Sequence, residues 1–212
     1  VPIRDEIVHS APSTVVFDVG NVLIVWDRAL LYRPLVAGEE ELARFLGEVF
    51  TMEANARLDA GQPLHEFCAS LAAEHPAHAE LVGVLAERWI ETLGPVIDGS
   101  VALLRRLRAQ GTRVLGLTNF NHETWALTVE RHPFLTELDG CVVSGHEGVV
   151  KPDPAIFELL CDRYDVDPED AVFIDDSPAN VASAVSLGFH GVVFDSPVAL
   201  EAELVRLGVL AG

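Results

Sequence analysis

Thr14-Val15-Val16-Phe17-Asp18-Val19-Gly20-Asn21-Val22-Leu23 begins with four β-branched or aromatic residues, then meets a carboxylate and a Gly-Asn turn. An apolar run without polar alternation reads as a strand covered on both faces. The turn residues follow at once, so Asp18 stands at the strand's C-terminal end. Farther along, runs of the same kind recur at 113–117, 141–143, 171–174 and 191–194. Helical spacing fills 100–110, Pro154–Tyr164 and 178–187, with Pro154 and Pro178 as starts and Gly111 and Gly188 as stops. Alternating strands and helices predict an α/β fold, a Rossmann-like doubly wound parallel sheet.

The stretch 27–94 is the exception, because it offers no strand signal. Residues 39–50, 63–74 and 77–93 read there as amphipathic helices. So long a connection exceeds an ordinary crossover, and it predicts an inserted helical subdomain. The expected division is a core of residues 1–26 and 95–212 and a helical cap of 27–94.

Half of the 212 residues are hydrophobic, enough for a sizeable core. Fourteen basic against 33 acidic residues leave a formal charge of −19. Such a surface repels phosphate backbones and anionic lipid, so neither nucleic acid nor membrane is an expected partner. No apolar run approaches the ~20 residues of a membrane span. The first 13 residues carry Arg4, Asp5 and Glu6 and no apolar stretch, so no signal peptide is expected. Cys68, Cys141 and Cys161 have no metal or pairing spacing. They read as small buried hydrophobes of a reduced, cytoplasmic protein. Oligomeric state is left open.

Ligands of open parallel sheets bind beyond the carboxyl ends of the strands. There the sequence places Asp18, then Thr118-Asn119, then a loop to Val150-Lys151-Pro152-Asp153-Pro154, then Asp175-Asp176-Ser177. Taken singly, Asp18 is as well explained as a helix cap and Lys151 as a solvated lysine; the convergence of strand ends makes a site. Three crowded carboxylates raise one another's pKa unless a cation joins them, and Mg²⁺ is the hard ion such ligands take. With a divalent ion and Lys151 the local charge comes to about zero, ready for an anion.

These four segments together resemble the haloacid dehalogenase-like superfamily, over about residues 15–191, with the helical insertion where that superfamily carries its cap. Within it, the chain is most similar to bacterial sugar-phosphate phosphatases with a D-x-G-N signature, and then to the phosphatase domain of soluble epoxide hydrolases. The resemblance implies a phosphatase acting on a small phosphorylated metabolite, a sugar phosphate among the candidates, through an aspartyl phosphate. Asp18 is then the nucleophile. The Mg²⁺ ligands are Asp18, the Gly20 backbone carbonyl and Asp176, with Asp175 water-mediated or behind them. Thr118 and the Asn119 amide hold phosphoryl oxygens, Lys151 neutralises charge, and Asn180 orders the loop after the acidic pair.

Gly20 departs from the pattern, because most phosphatases of this superfamily carry a second Asp there as general acid. Its loss favours anomeric, aryl or acyl phosphates, whose leaving groups need little protonation. Alternatively, a cap residue (His65, Glu53 or Asp59) or a water supplies the proton. Trp26, Met52 and Trp89 are candidates for lining the entrance. The competing readings are a 2-haloacid dehalogenase, a non-catalytic scaffold and a phosphotransferase such as a mutase. The acidic pair opposes the first, the intact Thr118, Lys151 and acidic pair the second, and the missing acid the third.

Overall fold

The computed structural model describes residues 11–211; the charged residues 1–10, on which the signal-peptide reading rests, lie outside them. The described strands are β1 (Thr14–Phe17), β2 (Ile24–Trp26), β3 (Leu93–Val96), β4 (Arg113–Thr118), β5 (Gly140–Val143), β6 (Ala171–Asp175) and β7 (His190–Val193). The helices are α1 (Arg28–Tyr32), α2 (Glu39–Glu48), α3 (Met52–Asp59), α4 (Leu64–Glu74), α5 (Ala79–Arg88), α6 (Asp98–Ala109), α7 (His122–Arg131), α8 (Ser144–Glu147), α9 (Pro154–Tyr164), α10 (Pro178–Ser186) and α11 (Pro197–Arg206).

Five strands make one parallel sheet in the order β5-β4-β1-β6-β7. The chain winds from β1 through β4 to β5, then crosses back to β6 and β7. Its direction reverses beside β1, the place where such sheets bind ligands. Val15, Phe17, Val114, Val172 and Ile174 turn to a layer that includes α6 and α11. Val16, Leu115, Leu117 and Phe173 turn to α9 and α10. Cover on both faces is the reason these strands are apolar at consecutive positions, each buried large side chain contributing about 1.5–3 kcal/mol. β7 differs from its expected two-sided burial: His190, Gly191 and Val193 are exposed and only Val192 is buried. It closes the sheet at an edge, where less of the molecule covers it.

Helices α1–α5 gather round a cluster that includes Tyr32, Phe45, Phe50, Phe67 and Leu85, with the Tyr32 ring 4.6 Å from Phe45. Phe120 and Val143, at the ends of β4 and β5, join that cluster, so the helical layer rests on the C-terminal edge of the sheet. The expectation of no strand over 27–94 is corrected at its end. β3 begins at Leu93 and pairs antiparallel with β2, Ile24 opposite Val96 and Trp26 opposite Leu93. These strands are too short to show a period, β3 contains Gly94-Pro95, and each depends on a partner far along the chain. The helix expected over 77–93 runs only from Ala79 to Arg88. It tightens into a 3-10 turn at Trp89–Thr92 before the chain straightens into β3.

Candidate active site

β1 delivers Asp18 to the centre of the sheet edge, where its N–H donates to Ile174 O at 2.8 Å. The chain then turns sharply: Leu23 and Ile24 both donate to Val19 O, at 2.9 and 3.0 Å. Asn21 sits at φ 56°, a left-handed conformation that asparagine tolerates better than most residues. Its Oδ1 accepts from Trp26 N at 2.9 Å and ties the turn to β2.

Lys151 is buried behind Asp18. Its Nζ lies 3.0 Å from Asp18 Oδ1 and 2.6 Å from Asp175 Oδ2, and donates to Leu117 O at 2.9 Å. Asn119 holds it there by its main chain: Asn119 Nδ2 donates to Lys151 O at 2.9 Å and Lys151 N donates to Asn119 Oδ1 at 2.8 Å. The carboxamide of Asn119 is therefore spent, and its backbone N–H is the donor it can offer an anion. Asp175, fully buried, accepts from Lys151 Nζ, Ser177 N and Asn180 Nδ2. Those donors engage both of its carboxylate oxygens, and Asn180 ties α10 to the end of β6. Asp176 is exposed beside it.

One carboxylate oxygen each from Asp18, Asp175 and Asp176 lies within 4.8 Å of the others. Burial pushes the Asp18 carboxyl up to about 7; Lys151 opposes the rise and Asp175 adds to it. Burial by itself would lower the Lys151 ammonium, but the charges of Asp18 and Asp175 outweigh it and raise it. Asp176 is raised too, by partial desolvation and then by the charge of Asp175, against a hydrogen bond from Asn21. One lysine therefore undercompensates three carboxylates, and an all-oxygen donor set at this spacing fits a hard divalent cation. Thr118 Oγ1 is buried with no hydrogen-bond partner among the described residues. Left so, it costs roughly 1–3 kcal/mol, which a bound ligand oxygen would offset.

Above these groups lies a cavity of about 310 Å³. Asp18, Gly20, Thr118, Asn119 and Asp176 line it from the core, while Lys151 and Asp175 stand behind. Trp26, Met52 and Trp89 all line it, with Asn55, Leu58, Asp59 and Phe120. Of the three proton donors considered from sequence, Asp59 lines the cavity, whereas His65 and Glu53 are exposed and outside it. Sequence reasoning missed Asn55, Phe120, Asn121 and Ser144. Asn121 carried one signal, its place as N-cap of α7, where its side chain accepts from Glu123 N and Thr124 N. The cysteines are only partly as expected, since Cys68 is buried while Cys141 and Cys161 are half-buried.

A family model described as haloacid dehalogenase-like hydrolase matches residues 12–188. Acyl-CoA dehydrogenase family member 10 of Mus musculus is 30% identical over 150 residues, 68% of this chain but 13% of that protein. The sesquiterpene phosphatase astK of Aspergillus oryzae is 26% identical and matches 91% of this chain and 94% of its own length. (S)-2-haloacid dehalogenase 1 of a Pseudomonas species is 29% identical over 44% of this chain and 41% of its own. Among solved structures, the HAD family enzyme bt-2542 of Bacteroides thetaiotaomicron, in complex with magnesium and inorganic phosphate, superposes with a TM-score of 0.68. It covers 87% of this chain and 94% of that one at 21% identity, a likeness of fold.

Proposed function

The chain belongs to the haloacid dehalogenase-like hydrolases, and from that premise we propose that it is a magnesium-dependent phosphatase of small phosphate monoesters. Asp18 is the nucleophile, and the phosphoryl group rests on Thr118 Oγ1 and the Asn119 N–H. Asp18, the Gly20 carbonyl and Asp176 would hold the ion, with Asp175 behind them; when bound it supplies the positive charge that lets the phosphate dianion approach. Lys151, buried between Asp18 and Asp175, opposes the rise that burial imposes on Asp18 and holds its carboxylate in place. The division into a core of 1–26 and 95–212 and a cap of 27–94 belongs to the same reading, the cap choosing the leaving group. The sesquiterpene phosphatase and the magnesium and phosphate of bt-2542 support it by likeness. Three unpaired cysteines fit a cytoplasmic place, and the −19 charge fits a protein that binds neither nucleic acid nor membrane. Among the described residues no helix is long and apolar enough to cross a membrane.

The observation that carries this reading is the convergence of Asp175 and Asp176 on Asp18. Halide displacement by an aspartate needs no cation, and Asp176 would then stand uncompensated beside the nucleophile. The haloacid dehalogenase relative keeps that second reading measurable. The test is release of p-nitrophenol from p-nitrophenyl phosphate with Mg²⁺, with excess EDTA, and by Asp18→Asn. Turnover that both EDTA and the substitution abolish is expected. No turnover, together with chloride release from 2-chloropropionate, would overturn it.

A further inference from the structure

Resting on the phosphatase reading, we propose that Asp59, on the helical side of the cavity, is the general acid and base that takes over the proton transfer Gly20 cannot perform. Asp59 ends α3, and two buried side chains of the core grip the backbone around it. Asn121 Nδ2 donates to Leu58 O at 3.1 Å and to Gln62 O at 2.8 Å. Ser144 Oγ donates to Asp59 O itself at 2.6 Å. Asn121 follows β4, whose end carries Thr118 and Asn119, and Ser144 follows β5, the strand beside it. Two residues on, the backbones run close: a Cβ on Gly61, φ +97°, would lie 2.7 Å from Gly145 O. The core thus fixes the place of this one carboxylate over the cavity, as proton transfer requires.

The side chain is suited to the work. Asn55 Nδ2 donates to Asp59 Oδ2 at 2.9 Å, and Oδ1 takes no hydrogen bond among the described residues. A carboxylate at a helix C-terminus meets the negative end of the dipole, which favours its protonated form. Burial pushes the carboxyl up to about 7, against the Asn55 hydrogen bond and the Lys151 charge, which lower it. Asp18 and Asp176 line the same cavity. α4 and α8, packed on α3, bring His65, Glu66, Glu74, His146 and Glu147, and α7 brings His122; none of these lines the cavity.

The proton count closes. Asp18 Oδ attacks phosphorus, the bond to the ester oxygen breaks, and the Asp59 proton goes to that oxygen to release an alcohol. Water then attacks the aspartyl phosphate, gives a proton to the Asp59 carboxylate, and the phosphorus–Asp18 bond breaks. Phosphate leaves, and both residues return to their starting states. With an acid in place, simple alkyl phosphates become substrates beside the activated esters that Gly20 alone would favour.

The test compares kcat/KM of the Mg²⁺-loaded enzyme and of Asp59→Asn on an alkyl phosphate and on p-nitrophenyl phosphate. The alkyl ester should lose ~10²-fold or more and the nitrophenyl ester less than about 3-fold, because p-nitrophenolate leaves without a proton. The limb of the alkyl pH profile that falls above about pH 7 should vanish with the substitution. A Cβ on Gly20 meets nothing within 4 Å, so a side chain can begin there, and Gly20→Asp should restore alkyl turnover in the Asp59→Asn protein. Equal losses on both esters without such rescue would make Asp59 structural, and no loss on the alkyl ester would remove it from the reaction. If the wild-type enzyme hydrolyses neither ester, the phosphatase reading itself fails.

Discussion

Lys151→Met keeps most of the side chain's length and removes its charge, leaving the buried carboxylates of Asp18 and Asp175 facing each other. In the present structure the Lys151 side chain is 0% exposed and reaches both, at 3.0 and 2.6 Å. Breaking a buried pair by removing one partner costs about 3–5 kcal/mol, because the remaining charge is stranded in a poor solvent. For a chain of this size ~1 kcal/mol moves Tm by about 2–4 °C, so the variant should melt about 6–20 °C lower in EDTA. A divalent cation on the same carboxylates replaces the missing charge, and the variant no longer carries the ammonium that repels it. Saturating Mg²⁺ should therefore narrow the gap between variant and wild type. Differential scanning calorimetry of both proteins, with EDTA and with Mg²⁺, reads all four values. A gap in EDTA under about 2 °C, or one that Mg²⁺ leaves unchanged, would refute the shared-charge account of Lys151 and the carboxylates.

Thr118→Val replaces a buried hydroxyl that has no partner among the described residues by a methyl group, so thermal stability should hold or rise while kcat/KM on p-nitrophenyl phosphate falls by roughly 10²-fold, as for loss of one preorganised donor; an unchanged rate would remove Thr118 from the phosphoryl site. Gly140→Ala places a Cβ 2.3 Å from the Tyr164 ring at the end of β5 remote from the site. Calorimetry should show a loss of about 1–3 kcal/mol with turnover retained, and an unshifted Tm would mean the ring swings away freely. Burial pushes the thiols of Cys68 and Cys161 up to about 11 and that of Cys141 up to about 12. At pH 8 less than roughly 10⁻³ of Cys68 and Cys161 is thiolate, so iodoacetamide should label the folded protein far more slowly than the urea-unfolded one; mass spectrometry would expose equal rates.

The strand ends were legible because they are local. An apolar run followed at once by Asp18, by Thr118-Asn119 or by Asp175-Asp176 puts those residues at one sheet edge whatever the rest of the chain does, once the strands are parallel. The gap before 113–117 likewise announced extra helices, because a packed crossover is short. The β2–β3 pair, the spent carboxamide of Asn119 and the burial of Lys151 were not legible. Each depends on a partner brought up by the fold, and a lysine after Val150 looks the same in sequence whether solvated or enclosed. Asp59 is the sharpest case. Its neighbours Leu58 and Gln62 lie 63 and 59 positions from Asn121, and Asp59 lies 85 from Ser144. Hydrogen bonds across such separations leave no period or spacing in the chain. Residue order placed Asp18, Lys151 and the acidic pair; the docking of α3 on the ends of β4 and β5 decided which carboxylate overlooks them, since only packing in three dimensions can hold Asp59 there.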